Sequence, residues 1–217
     1  FPFVRVTPSI DKDVENRKIN LTFNIEEGPR IFVERIDIKG NFRTLDEVIR
    51  REFQLVEGDA LNTAKLKRSE KRINDLNFFE KVEVSRSPGS APDQTVIDVT
   101  VAEKSTGSLS IGAGYSSSDG PLADFGISEG NLLGKGQRLS FSASVAAEKT
   151  RFNIGFTEPY FLDREVAAGF DLYKVTEERQ DESSYDYSRV GFALRAGYPI
   201  GRYLTQSWSY GLDQTTV

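Results

Sequence analysis

The stretch that decides the fold is Ser105-Thr-Gly-Ser-Leu-Ser-Ile-Gly-Ala-Gly-Tyr115. Along it, apolar residues alternate with Gly and Ser, so a strand would place these side chains on one face: Leu109, Ile111, Ala113 and Tyr115. In a water-soluble sheet the polar face contacts solvent. In a transmembrane barrel the apolar face contacts lipid, and the small polar residues line the lumen. The pattern therefore predicts a strand, and the rest of the chain must decide its surroundings.

The same period of two continues to the end of the chain. It predicts strands at residues 139–145, 152–156, 166–172, 190–196 and 203–212, with a weaker strand around Phe125 and Ile127. About seven antiparallel strands result, each close to the length that spans a membrane. The outer faces of a soluble sandwich normally carry Lys, Glu and Thr. Here the polar faces are mostly Ser and Gly, which favours a barrel.

The connections between these strands agree with a barrel. If the first strand runs outward, the inner turns are residues 132–137, 158–165 and 199–202, and the outer loops are residues 116–121, 146–150 and 174–188. Short inner turns and one long outer loop are the asymmetry expected of outer-membrane barrels. An aromatic girdle near the inner interface is predicted from Tyr160, Phe161, Tyr198 and Tyr203.

Upstream, the sequence predicts a mixed α/β module. A strand around residues 33–38 precedes two helices, and strands at 81–86 and 96–101 follow them. Thr44 and Glu47 fit a capping box at the first helix, Asn62 can cap the second, and Asn77 can end it in a left-handed conformation. The expected order is strand, helix, helix, strand, strand.

The first residues of the chain predict a hairpin. Its strands are residues 3–6 and 19–25, and its loop is residues 11–18. The hairpin resembles the one formed by the last two strands of the module, which indicates an internal repeat. Such units can bind extended peptide by adding a strand, or they can act as structural spacers. The residues leave both possibilities open.

Composition excludes several classes of function. A net charge of −5 and a pI near 5.1 argue against nucleic-acid binding. The chain has no Cys and no His, so a thiolate metal site and a Ser-His-Asp triad are impossible. We expect no enzymatic activity, no cofactor and no metal. The chain also has no Met, and we expect it to be a processed or excised piece.

Three downstream motifs carry a family resemblance: Thr106-Gly-Ser-Leu-Ser-Ile-Gly-Ala-Gly-Tyr115, Gly130-Asn-Leu-Leu-Gly-Lys-Gly-Gln137 and Phe156-Thr-Glu-Pro-Tyr-Phe-Leu-Asp163. Four upstream motifs add to it: Gly40-Asn41, Arg50-Arg51-Glu52, Val56-Glu57-Gly58 and Phe78-Phe79-Glu80. In this order they resemble the BamA family of outer-membrane β-barrel assembly factors. The residues within the motifs resemble those of Alphaproteobacteria. The family barrel has more strands than this segment, which lacks the family's later loop motif and its closing strand.

The resemblance implies a fold, an order of domains and a location. The fold class is an α+β POTRA domain (β-α-α-β-β) followed by antiparallel transmembrane β-barrel strands, a partial barrel. Residues 1–27 would be the hairpin of a preceding POTRA domain, residues 28–104 a complete one, and residues 105–217 the first part of the barrel. The location implied is the outer membrane, with the POTRA region in the periplasm.

The resemblance also implies that the protein folds and inserts unfolded outer-membrane proteins without covalent chemistry. Glycines weaken the first barrel strand, which could pair with the terminal strand of a client. The expected client-pairing residues are Gly107, Ser108, Leu109, Ser110, Ile111, Gly112, Ala113 and Gly114. The alternative is that the glycines only relieve crowding in the lumen.

Further partners follow from the same resemblance. Arg50 and Glu57 are expected to contact a periplasmic lipoprotein of the BamD type, although an ordinary solvated charge pair is the alternative. The strands would contact outer-membrane lipid. Two other functions stay open: a related POTRA-bearing translocator, either TamA-like or a two-partner secretion pore, and a soluble periplasmic binding module.

Overall fold

A computed structural model describes residues 4–13, 18–117, 119–179, 185–201 and 204–217. The chain divides into two compact units, Phe1–Lys104 and Ser105–Val217. The first unit contains β1 (Val4–Asp13), β2 (Lys18–Glu27), β3 (Phe32–Lys39), α1 (Asp46–Arg50), α2 (Thr63–Asp75), β4 (Phe79–Pro88) and β5 (Gln94–Glu103). The second contains β6 (Gly107–Ser116), β7 (Gly120–Leu132), β8 (Gln137–Ala146), β9 (Lys149–Glu158), β10 (Ala167–Arg179), β11 (Tyr185–Gly201) and β12 (Leu204–Thr216).

In the first unit, β5 lies at the centre of a three-stranded sheet. It pairs in parallel with β3 and antiparallel with β4. Apolar residues from the sheet and both helices form the core, and five of them have no exposed surface: Val48, Ile49, Ile73, Ile97 and Val99. The predicted order of strand, helix, helix, strand, strand is confirmed.

The ends of the helices follow the sequence in two places and depart from it in a third. Asn62 caps α2, because its side-chain oxygen accepts hydrogen bonds from the amides of Ala64 and Lys65 at 3.0 and 3.1 Å. Asn77, with φ of 61°, ends that helix in the left-handed region. The capping box at Thr44 is wrong, since α1 begins after Leu45, which makes no side-chain cap.

The hairpin of β1 and β2 pairs in a regular antiparallel register from Val4 opposite Glu27 to Asp13 opposite Lys18. The expected loop at residues 11–18 is therefore too long, because β1 continues to Asp13. The alternation of Ile10, Asp11 and Lys12 is weak, but each pairs with a residue of β2. Residues 14–17 and Phe3, which the prediction also included, lie outside the described residues.

The second unit is a seven-stranded antiparallel sheet within the described residues, with each strand next to its neighbours in sequence. The predicted strands are present and most are longer than expected. The loop predicted at residues 174–188 is wrong at both ends, because β10 continues to Arg179 and β11 begins at Tyr185. The polar residues there pair in register, and Glu177 is bonded by Lys149 at 2.7 Å and by Tyr187 at 2.5 Å. Tyr203, predicted for the girdle, lies outside the described residues.

The register separates the side chains of this sheet into two faces. One row of directly paired residues crosses all seven strands and is entirely apolar: Leu109, Ile127, Phe141, Ile154, Leu172, Phe192 and Leu212. The neighbouring row on the opposite face is Ser110, Gly126, Ser142, Asn153, Tyr173, Gly191 and Asp213. Most large side chains of the apolar face are exposed, including Ile111 at 77% and Trp208 at 63%. This arrangement is the opposite of a soluble sheet with a buried apolar face.

Candidate functional site

The eight residues expected to pair with a client all lie in β6, which is an outer strand of the sheet. Its partner on one side is β7, in an unbroken register from Gly107 opposite Glu129 to Ser116 opposite Gly120. Its other edge is available for a further strand among the residues that the structure describes. The eight residues therefore share one sheet edge.

Only alternate residues of β6 present backbone groups at that edge. The amide of Gly130 donates to the carbonyl of Thr106 at 3.1 Å, which makes Thr106 and Gly130 a hydrogen-bonded pair. In a regular antiparallel ladder, such pairs recur at every second residue. Ser108, Ser110, Gly112 and Gly114 therefore bond to β7. Backbone groups point to the free edge at Gly107, Leu109, Ile111 and Ala113.

Three of these four residues also carry the apolar side chains of β6: Leu109, Ile111 and Ala113. Edge-facing backbone groups and apolar side chains both recur at every second residue, and along β6 they fall on the same residues. Leu109 is 63% exposed and Ile111 is 77% exposed. A strand added at this edge would thus bond to residues whose side chains lie on the apolar face. Specificity from side-chain pockets is not required for such pairing, since the backbone supplies the hydrogen bonds.

The three glycines of β6 differ in the space around them. A Cβ at Gly112 would meet its nearest atom, in Asp124, at 3.7 Å, and one at Gly114 would meet Leu122 at 3.5 Å. These are ordinary contacts. A Cβ at Gly107 would lie 3.2 Å from a carboxylate oxygen of Glu129, which is a tight contact. Crowding therefore accounts for glycine at position 107 but not at positions 112 and 114.

Side chains reinforce the pairing of β6 with β7 near the start of the strand. The Thr106 hydroxyl donates to Glu129, and the hydroxyls of Ser108 and Ser128 lie 2.8 Å apart. No sequence pattern had singled out Glu129. A signal was present, because Glu129 directly precedes the Gly130–Gln137 motif, whose Asn131 amide also donates to Glu129 at 2.8 Å.

Arg50 and Glu57 lie together on the surface of the first unit. Arg50 Nη1 and Glu57 Oε1 are 2.6 Å apart, and the two side chains are 41% and 45% exposed. Arg50 Nη2 also donates to the carbonyl of Ile36 at 3.1 Å and lies 3.4 Å from Asp46 Oδ2. The backbone contact fixes the guanidinium in place, and the ion pair remains accessible to a partner.

Glu103, at the end of β5, holds the loop that follows β3. Its carboxylate accepts the amides of Thr44 at 2.7 Å and Arg43 at 3.0 Å. Desolvation raises the pKa of Glu103, but hydrogen bonds from the Thr44 hydroxyl and the loop amides outweigh it, so the net pKa is lowered. Gly40 begins this loop with φ of 92°, and a Cβ there would lie 2.0 Å from the carbonyl oxygen of Val101.

Other candidate sites receive no support from the geometry. Within the described part of the chain, no group of three His, Cys, Asp or Glu residues could hold a metal ion. Glu177, from the acidic stretch near the last long loop, is 2% exposed and bonds to Lys149 and Tyr187. Asp181 and Glu182 of that stretch lie outside the described residues. No helix in the described ranges is long and apolar enough to cross a membrane.

Comparisons with known proteins match both units. Residues 131–217 match the model of the Omp85 superfamily domain, and residues 31–104 match the POTRA model, described as a surface antigen variable number repeat. The chain is 33% identical to outer membrane protein assembly factor BamA of Neisseria meningitidis, over 94% of this chain and 26% of that protein. It is 31% identical to the BamA of Nitratidesulfovibrio vulgaris, over 99% of this chain and 27% of that protein.

A solved structure agrees with the sequence comparisons. The crystal structure of BamA from Haemophilus ducreyi lacking POTRA domains 1–3 superposes with a TM-score of 0.78 at 29% identity. The match covers 98% of this chain and 40% of that one. The predicted fold class, an α+β POTRA domain followed by antiparallel strands of a partial barrel, is confirmed.

These features define a POTRA-bearing β-barrel protein of the outer membrane, and the chain belongs to the Omp85 superfamily. Within that superfamily it belongs to the BamA family. The strand unit is accordingly located in the outer membrane and the POTRA unit in the periplasm. The chain spans about a quarter of the length of the curated relatives, 27% and 26% of the two named above.

Proposed function

We propose that this chain is part of an assembly factor that folds and inserts outer-membrane β-barrel proteins by templating client strands on β6. The observation that carries the proposal is the orientation of β6, whose residues Gly107, Leu109, Ile111 and Ala113 present backbone groups at the edge that faces away from β7. The names of the relatives, outer membrane protein assembly factor BamA, favour this function over a translocator. Pairing through the backbone requires no bond-making chemistry and tolerates many client sequences.

Disulfide trapping tests the templating step. Ser110 bonds to β7, so it would form a non-hydrogen-bonded pair with a strand on the free edge, where Cα atoms lie about 4.5 Å apart. That separation suits a disulfide. In the full-length protein, Ser110→Cys should crosslink to a Cys at one register of a client's last strand. The segment contains no native Cys that would compete.

Ser142→Cys provides the matched control for this experiment. Ser142 lies in the same polar row as Ser110, but its strand β8 pairs with β7 and β9 on its two sides. It should give no crosslink with the same client. Absence of a Ser110 crosslink at every register, or an equal yield at Ser142, would remove the templating proposal.

We also propose that Arg50 and Glu57 dock a periplasmic lipoprotein of the BamD type. The proposal is supported by the exposure of the pair and by the contact that holds Arg50 on the carbonyl of Ile36. An exposed ion pair contributes only about 0–1 kcal/mol to stability, so Glu57→Lys should leave the fold intact. It should nevertheless weaken copurification of the lipoprotein.

A charge swap separates docking from internal pairing. The double variant Arg50→Glu with Glu57→Arg restores an internal ion pair but presents reversed charges to a partner. Docking predicts that copurification stays weak in the double variant. Rescue by the swap would show that the pair acts only within the POTRA unit. Charge reversal at the exposed Lys81–Glu83 pair, 2.5 Å apart, serves as the control.

For the organisation of the chain, we propose that residues 1–27 close a preceding POTRA unit. The face of the β1–β2 hairpin that carries Val6, Ile10, Leu21, Phe23 and Ile25 is exposed, with 51–64% of each side chain accessible. In β4 and β5, residues of comparable pattern pack against the two helices of their unit. A second pair of helices would cover the hairpin in the same way.

A further inference from the structure

We propose that Glu129 is a positioning residue that locks the start of β6 onto β7. The lock would allow a client strand to join and leave the free edge while β6 itself stays in the sheet. The inference rests on the proposed function of β6 as a template. It assigns a role to a residue that none of the sequence patterns had singled out.

The two ends of β6 are closed in different ways. At its C-terminal end, β6 continues through a short turn into β7, with Ser116 opposite Gly120. At its start, the chain leaves the sheet through Lys104 and Ser105, so no covalent turn holds β6 to β7. Strand ends without such a turn separate most easily, because each bond lost there frees further residues. The start of β6 therefore requires a non-covalent closure.

Glu129 supplies contacts at that point. Its carboxylate accepts the hydroxyl of Thr106, one residue before β6, and the amide of Asn131 at 2.8 Å. Asn131 lies near the end of β7, and its side-chain oxygen accepts the amide of Gly136 at 2.7 Å, which fixes Asn131 against the turn to β8. The end of β7 thus orients the Glu129 carboxylate, which bonds to the chain entering β6.

Gly107 has a steric part in the same arrangement. It lies directly opposite Glu129, and a Cβ at this position would approach Glu129 Oε2 to 3.2 Å. Glycine leaves the carboxylate its place beside the strand. This role differs from that of Gly112 and Gly114, where a Cβ would make only ordinary contacts.

The contacts make the two edges of β6 unequal. Each edge of an antiparallel strand offers backbone bonds of the same kind. Without further bonds, β6 would leave β7 about as readily as a client would leave β6. The Thr106–Glu129 and Ser108–Ser128 contacts add side-chain bonds on the β7 side only. They bias the exchange so that the client strand is the one that leaves.

Amide hydrogen exchange of the full-length protein in lipid nanodiscs tests the lock. Glu129→Ala should accelerate exchange at the Ser108 amide about five- to tenfold, the effect expected from losing one or two hydrogen bonds. Glu129→Gln, which keeps an acceptor, should retain most of the protection. Asp124→Ala, on β7 opposite Gly112, is the matched control and should leave Ser108 unchanged. Unchanged exchange in Glu129→Ala would overturn the lock.

A second pair of variants keeps the test decisive should Glu129→Ala fold poorly. Gly107→Ala should accelerate exchange at Ser108 by displacing the carboxylate, whereas Gly112→Ala should not. Equal effects of the two substitutions would overturn the proposal. Failure of the proposed function gives a different result: Ser110→Cys, with Glu129 unchanged, would form no crosslink with a client, while the difference in exchange between the Glu129 variants would remain.

Discussion

At the scale of single residues, Gly40 shows how one backbone position constrains the POTRA unit. Its φ is 92°, and a Cβ would lie 2.0 Å from the Val101 carbonyl oxygen. Gly40→Ala should lower the free energy of unfolding by roughly 2–5 kcal/mol, because a left-handed conformation and a backbone displacement both oppose folding. Denaturant titration of residues 28–104 measures the loss, because all the residues of the buried core lie within this range.

Gly58 is the matched control for Gly40. Its φ is 89°, but no atom lies within 4 Å of the position that its Cβ would take. Gly58→Ala should therefore lose only the conformational part, about 1–2 kcal/mol. Equal losses for the two variants would mean that the close approach to Val101 contributes nothing.

Glu103 makes the stability of the POTRA unit depend on pH. Its pKa is lowered in the folded state from a usual value of 4.5, because hydrogen bonds from the residue 42–44 loop favour the carboxylate over desolvation. The resulting stabilisation is complete above the unfolded pKa and is lost as the pH falls through the lower folded value. Glu103→Gln should destabilise the unit at neutral pH and make its stability less dependent on pH in the acidic range.

Denaturant titrations between neutral and acidic pH measure this difference. Glu70→Gln, which removes a carboxylate from α2 but none of the hydrogen bonds between Glu103 and the loop, controls for the loss of one charge. A parent protein and Glu103→Gln variant with parallel pH profiles would contradict the assignment.

Residue-level features were predictable from sequence where their cause is local. Asn62 and Asn77 act within one turn of the helix that they begin or end, so their roles follow from neighbouring residues. Thr44 was mispredicted because its amide bonds to Glu103, 59 residues away. Glu129 was missed for the same reason, since its contact with Thr106 spans 23 residues.

At the scale of elements, strands were predictable where apolar and polar residues alternate. The prediction ended β10 near Leu172, because Lys174, Glu177 and Glu178 break the pattern. The strand continues to Arg179, since Glu177 is neutralised across the sheet by Lys149. Cross-strand partners of this kind cannot be read from one segment of sequence alone.

The alternation along β6 leads to an element-level prediction. Ala113 presents its amide at the free edge, whereas Gly112 uses its amide to bond β7. Proline removes an amide donor and is tolerated on edge strands where that donor faces away from the sheet. Ala113→Pro should therefore leave the sheet folded but reduce the client crosslink at Ser110. Crosslink yield and thermal stability in detergent are the two measurements.

Gly112→Pro is the control with the opposite expectation. It removes a donor from the β6–β7 ladder, so it should lower the thermal stability of the sheet. The expected loss of folding free energy is that of one hydrogen bond, on the order of 1 kcal/mol. If Ala113→Pro were the more destabilising variant, the assignment of free and bonded amides along β6 would be reversed.

At the scale of the whole strand unit, the two faces of the sheet explain why its location follows from its sequence. Every member of the row from Leu109 to Leu212 is apolar, and six of the seven are 36–63% exposed. Such a surface is stable where hydrocarbon covers it, and the Ser- and Gly-rich opposite face suits a water-filled lumen. The alternation of apolar and polar residues was enough to predict the fold class of this unit, because it occurs in every strand.

Neighbouring residues of β9 test this separation of faces. Ile154 lies in the apolar row, and Asn153 lies in the polar row on the same strand. Ile154→Arg should cost about 2–4 kcal/mol of folding free energy in lipid vesicles, because a guanidinium would enter hydrocarbon. Asn153→Arg introduces the same charge into the lumen and should cost far less. Urea titration of the full-length protein folded in vesicles measures both, and equal costs would show that both faces meet the same medium.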